Sequence, residues 1–189
     1  MGHHSGLRCG LMALLCLSLP LGTSGQQQQK EWTWKDRDGN VRSRADLDKI
    51  LEQHKLWLDS HFRHGFRAEL SGSDLRGAAL GHAILRGADL RSAYLMGAIL
   101  TGANLREADL SDAILIETDL SDARLTRADL KEAVFEPKDA PTSESIALAH
   151  GLELMKYERY PRPLTQLREL FQGVGYREAE RAITCALNR

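Results

Sequence analysis

A mainly β solenoid with helical flanks is the fold class this sequence predicts, and a five-residue ladder of leucines carries most of that expectation. The ladder runs Leu70, Leu75, Leu80, Leu85, Leu90, Leu95, Leu100, Leu105, Leu110, Leu115, Leu120, Leu125, Leu130, and Phe135 takes the fourteenth place. Two residues before each rung stands a small side chain, Ala at twelve places and Ser73 and Thr118 at the other two. Neither regular structure accommodates this period. On a helix, five-residue steps would rotate successive leucines by roughly 140°. In a strand, an odd step sends alternate leucines to opposite faces. A chain that turns a corner every five residues and stacks its coils satisfies the pattern, with leucine and alanine both inward. The third observation is in the flanks, where helix-period patterning precedes the ladder and resumes after it.

The ladder units carry a resemblance. Ala88-Asp89-Leu90-Arg91-Ser92, Ala103-Asn104-Leu105-Arg106-Glu107, Ala108-Asp109-Leu110-Ser111-Asp112 and Ala128-Asp129-Leu130-Lys131-Glu132 resemble A(D/N)LXX, the signature of the pentapeptide repeat family. The resemblance covers residues 68–137. It implies a right-handed quadrilateral β-helix with four pentapeptides per coil, hence about 3.5 coils, roughly 17 Å tall at a rise of about 4.8 Å. Leucine fills the axis of such a coil and alanine lets the backbone turn close to it. Gly72, Gly77, Gly87, Gly97 and Gly102 close early units, whereas Glu107, Asp112, Glu117, Asp122 and Glu132 close later ones. The turn chemistry is therefore expected to change along the stack. So short a stack exposes two raw ends, and both need caps.

Before the ladder, residues 1–25 read as a secretory signal peptide. Arg8 precedes the apolar stretch from Leu11 to Leu19, then Pro20 and small residues, with cleavage expected near Ser24 or Gly25. The stretch falls short of the about 20 apolar residues that a membrane span needs. An uncleaved N-terminal anchor is the alternative, and Cys16 lacks the small residue a lipoprotein would place before it. Once the leader is removed only Cys185 remains, which forbids an intrachain disulfide, and it is expected to be buried.

Residues 26–67 divide into a polar spacer, a short hairpin and a capping helix. Trp32 and Trp34 alternate, and Asp38-Gly39 is a tight-turn pair leading to Val41. A calcium loop at Asp36 fails, because it would need an acid at Trp34 and a glutamate at Ala45. Ser43 and Asp46 have capping-box spacing. Leu47, Ile50, Leu51, His54, Trp57, Leu58, His61 and Phe62 then follow a helical stripe onto the first coil. His54, His61 and His64 could share a face, but no acid or cysteine joins them, and they read as histidines bordering a packed helix.

Residues 138–189 are expected to be helical. Ser143 caps a helix over about 144–158 with Ile146, Ala149, Leu152 and Met155 inward. A second begins at Pro163 and ends at Phe171, stopped by Gly173 and Gly175, and a third spans 177–187 with Ala179, Ile183 and Ala186 apolar. Parts of this tail resemble that of some membrane-associated pentapeptide repeat proteins, although no membrane role is carried over from them.

With four units per coil, residues twenty apart stack in columns. Glu69, Asp89, Asp109 and Asp129 form one, whose oxygens can bond turn amides. Another face gathers Tyr94, Met96, Ile114, Ile116 and Val134, edged by Ile99, into a candidate interaction patch. Its cover is expected to be the chain's own C-terminal helices, a homodimer, or an unknown protein partner. No catalytic triad, phosphate loop or paired-cysteine motif occurs. The reading is a non-enzymatic exported binding or scaffold module, with no cofactor, metal, nucleic acid or small-molecule substrate. The alternative implied by the family is a DNA mimic acting on topoisomerases. Its acids are diluted here by arginines, and the stack is short.

Overall fold

Each ladder leucine opens a tight turn. The amide of the next small residue donates back to its carbonyl, as Ala78 does to Leu75 at 3.0 Å and Ala103 to Leu100 at 2.9 Å. The third turn residue has φ between 54° and 68° throughout, while the second never does, which makes these type II turns. The closing residue changes along the stack from glycine to acidic side chains, but the turn geometry does not. Gly97 and Gly102 adopt the same backbone as His82, Ser92, Glu107, Asp112 and Arg127. Stacking is the reason. The amide at that position donates to the following coil, Gly72 to Arg91 at 2.7 Å and Asp112 to Lys131 at 2.9 Å, so every coil must match its neighbour.

The structure, a computed structural model, describes residues 31–189. The signal, cleavage and anchor readings fall on residues 1–30, outside the described residues. Within the ladder, single parallel bridges join residues twenty apart in four columns. These run Glu69–Asp89–Asp109–Asp129, Asp74–Tyr94–Ile114–Val134, Ala79–Ile99–Asp119–Asp139 and Ile84–Asn104–Arg124. Each rung is one bridge, so the coil is a β solenoid made of corners rather than of long strands. All thirteen leucines and Phe135 are at most 1% exposed. Thr118, at a small position, donates its hydroxyl to the Leu95 carbonyl at 2.9 Å, which lets it stay in the core.

The first coil is capped group by group. A hairpin of β1 (Thr33–Lys35) and β2 (Val41–Ser43) pairs antiparallel, and Gly39 turns it at φ 82°. Lys35 then bridges Asp74, whose amide it accepts at 2.8 Å, and the Trp32 indole donates to the Arg76 carbonyl at 3.0 Å. Helix α1 (Arg44–Asp59) starts with the expected capping box between Ser43 and Asp46. Its Arg44 reaches the Ala79 carbonyl at 2.5 Å. The helix ends at Asp59, short of the expected Phe62. His61 and Phe62 take positive φ, which folds the Phe62 ring back to 4.4 Å from that of Trp57.

The far end differs most from expectation. The long helix over 144–158 does not form; there is only α2 (Ser143–Ile146) and a 3-10 turn at Leu152–Leu154. Between and after them the chain keeps pairing with the stack, His150 with Asp129 and Lys156 with Val134. A helix there would have left the last coil's amides and carbonyls unpaired. Gly151 also breaks it, with φ 72° and a backbone so close to Lys131 that a Cβ would lie 2.6 Å from its amide nitrogen. Where pairing lapses, the Ser145 hydroxyl substitutes, accepting from the Leu125 amide at 2.6 Å and donating to the Ala123 carbonyl at 2.8 Å.

Helices α3 (Arg162–Val174) and α4 (Arg177–Leu187) pack on each other, and α4 packs on the 3-10 turn. Gly175 stops α3 in the left-handed conformation. The buried side of α4 is Ala179, Ile183 and Ala186, as expected. Cys185 is exposed, not buried. It lies roughly 120° around the helix from that stripe.

Candidate functional site

The ladder register places the predicted apolar residues side by side. Tyr94, Ile114 and Val134 are successive rungs of one column, and the Gly97 amide bonds the Ile116 carbonyl, which sets Met96 beside Ile116. Ile99 occupies the next column. The patch is not uniform. Tyr94 and Ile99 are 47% and 48% exposed, Met96, Ile114 and Val134 are half-buried, and Ile116 is only 4% exposed. Near Ile116 the segment 158–160 crosses the stack. The Glu136 carboxylate accepts from the amides of Glu158 and Arg159 at 2.5 and 2.6 Å, and Arg159 pairs with Glu117 at 3.0 Å.

The acidic column is spent on the turns. Asp109 accepts from the Ser111 amide at 3.1 Å and Asp129 from that of Lys131 at 2.9 Å. Asp89 accepts both from its own turn and from the Arg91 guanidinium at 2.6 Å, and that arginine holds its carboxyl below the usual range. Arg76 does the same for Asp74, and Ser121 for Asp119. A cleft of about 390 Å³ between hairpin, α1 and first coil includes Asp36, Asp46 and Glu69. Asp36 is occupied by Asn40 and Arg42, which take its pKa down to about 2, and Asp46 serves the helix cap.

The three histidines do not converge. His61 and His64 are exposed, whereas His54 is wholly buried, its Nδ1 accepting from the Ala68 amide at 3.1 Å. The other ring nitrogen therefore carries the proton, directed at the Arg86 carbonyl without a close hydrogen bond. Burial pushes this imidazole below its ordinary value, and the nearby Arg67 charge adds to that. His54 is a piece of the cap that the helical stripe alone did not single out.

The family model for pentapeptide repeats, a block of eight copies, matches residues 66–102 and 103–136. These residues are pentapeptide repeats. Among solved structures, the chain aligns with HetL, a pentapeptide repeat protein involved in heterocyst differentiation regulation from the cyanobacterium Nostoc sp. strain PCC 7120. Identity is 47% over 36% of this chain and 29% of that one, with a TM-score of 0.36, so the alignment spans less than a third of HetL. A pentapeptide repeat protein from the Arabidopsis thaliana thylakoid lumen aligns at 24% identity over 55% of this chain and 72% of that one, TM-score 0.37. The sequence matches no curated protein. No helix among the described residues is long and apolar enough to cross a membrane.

Proposed function

We propose that this pentapeptide-repeat chain is a non-enzymatic, exported binding or scaffold module, a right-handed quadrilateral stack of about 3.5 coils that offers an outer face to a protein partner. The observation that carries the reading is the pair Tyr94 and Ile99, exposed at 47% and 48% on adjoining columns of a rigid ladder. Side chains held by a packed scaffold lose little entropy on docking, and an aromatic ring beside an aliphatic one is what a small interface core uses. The acidic column supports the DNA-mimic alternative poorly, because its carboxylates already accept from their own turns and from Arg91.

A photo-crosslinking residue in place of Tyr94, compared with one in place of exposed Ser92, tests this in the exported fraction. The expected result is a discrete adduct from position 94 alone. A doubled mass would identify a second copy as partner. Equal yields at the two positions would refute the face, and recovery in the cytoplasm with an intact N-terminus would refute export.

A further inference from the structure

Charge on this stack follows a register rule, and the rule fails in one place. Where an arginine follows a ladder leucine, it pairs with the acid that precedes the same leucine, Arg76 with Asp74 and Arg91 with Asp89, each at 2.6 Å. On the fourth face the preceding positions are Ile84, Asn104 and Arg124, so this partner is missing. Arg86 finds a substitute one coil on, Glu107, at 3.2 Å. The equivalent residue for Arg106, again twenty-one positions along, is Arg127. A cation stands where the repeat builds an ion pair.

Arg106, Arg124 and Arg127 have no carboxylate within ion-pair distance among the described residues. They crowd one face of two consecutive coils. Asn104 bridges Arg124, and the Glu107 amide donates to the Thr126 carbonyl at 3.1 Å, which locks the two turns together. Arg106, Glu107, Thr126, Arg127, Leu148 and His150 line a cleft of about 390 Å³, and the Glu107 carboxylate there is already engaged by Arg86. The Arg127 amide donates to the Leu148 carbonyl at 2.8 Å, so the C-terminal extension of the ladder builds the far wall. The Thr126 hydroxyl has no hydrogen-bond partner among the described residues.

We propose that this cleft binds a phosphate-type oxyanion between Arg106 and Arg127, with the Thr126 hydroxyl as a further donor. Two guanidinium forks and a hydroxyl line one cleft, a donor set that suits a tetrahedral anion with several acceptor oxygens. Like charges held together on a fixed backbone repel, and an anion between them turns that repulsion into two charge-assisted contacts. This face is not the one carrying Tyr94, so the site is independent of the docking reading above.

The test is calorimetric titration of the full chain with inorganic phosphate and, separately, with a phosphoserine peptide, against acetate at equal ionic strength to remove simple screening. Saturable binding of a phosphate probe is expected, with none for acetate. R127E rebuilds the Arg86–Glu107 arrangement one coil on, so it should keep the fold while weakening binding at least tenfold. Lys131→Gln, on another face, should bind as the wild type does. Tighter binding of the peptide assigns the site to a phosphorylated partner, and tighter binding of inorganic phosphate assigns it to the free ion. Wild-type chain that binds neither probe saturably, or an R127E chain that binds as well as wild type, overturns the proposal.

Discussion

Asp112 holds φ at 58° and Gly97 at 66°, two residues in one backbone shape with different intrinsic tolerance for it. A side chain in the left-handed region costs roughly 1 kcal/mol, a cost glycine escapes. No atom lies within 4 Å of where a Cβ on Gly97 would stand, so Gly97→Ala isolates the backbone term. It is expected to destabilise by about 1 kcal/mol, and Asp112→Gly to stabilise by up to about 1 kcal/mol, in urea denaturation. Opposite signs would contradict the shared turn type. The requirement for small residues and leucines was legible, because core volume is written directly into residue size. The positive φ of Glu107 or Arg127 was not, because local preference argues against it and only the neighbouring coil's carbonyls impose it.

Among elements, the two caps were read with unequal success. The hairpin and α1 follow local signals, a tight turn at Gly39 and a capping box at Ser43, although α1 ends at Asp59 before the expected Phe62. Beyond Pro137 the pattern of Ile146, Leu152 and Met155 correctly marked buried residues but suggested the wrong element. Periodicity reports which side chains are covered, whereas the choice between helix and ladder was decided by the open edge of the last coil. Ser145 shows how that edge is closed. Ser145→Ala leaves the Leu125 amide and Ala123 carbonyl without partners, and is expected to cost about 1–3 kcal/mol in chemical denaturation. A change below experimental error would mean that the hydroxyl is dispensable.

His54 belongs to the same scale, since it ties α1 to the first coil. Its pKa is lowered from 6.5 in the folded chain, so the folded state disfavours the proton. The stability it supports is complete above the unfolded value and is lost as pH falls through the lowered folded value. Protonation also removes the acceptor that serves the Ala68 amide. The melting temperature is expected to decline as pH drops from 7 towards 5. His54→Gln, which can accept the same amide but does not titrate, should flatten that decline. An unchanged slope in the variant would locate the pH dependence elsewhere. Asp74, Asp89 and Asp119, all lowered, act only at more acidic pH, where losing their charge removes their stabilising contacts.

For the whole molecule, stability depends on closing a short stack at both ends. Deleting residues 26–61 removes Lys35, Arg44 and His54, the groups that meet Asp74, Ala79 and Ala68, while leaving every repeat intact. The truncated chain is expected to aggregate, because an open coil is a template for edge pairing. A soluble monomer with an unchanged circular dichroism spectrum would show the cap to be unnecessary. From residue types and spacing alone came the solenoid, its core leucines, the first cap's elements and the last two helices, since each rests on contacts within a few residues or on a repeat long enough to average out noise. Tertiary structure decided the rest: how far the ladder runs past its repeat, which histidine is sealed, how deep Ile116 lies, and where arginines lose their acids. Those outcomes depend on partners fourteen or more residues away, whose positions are fixed only once the coils have stacked.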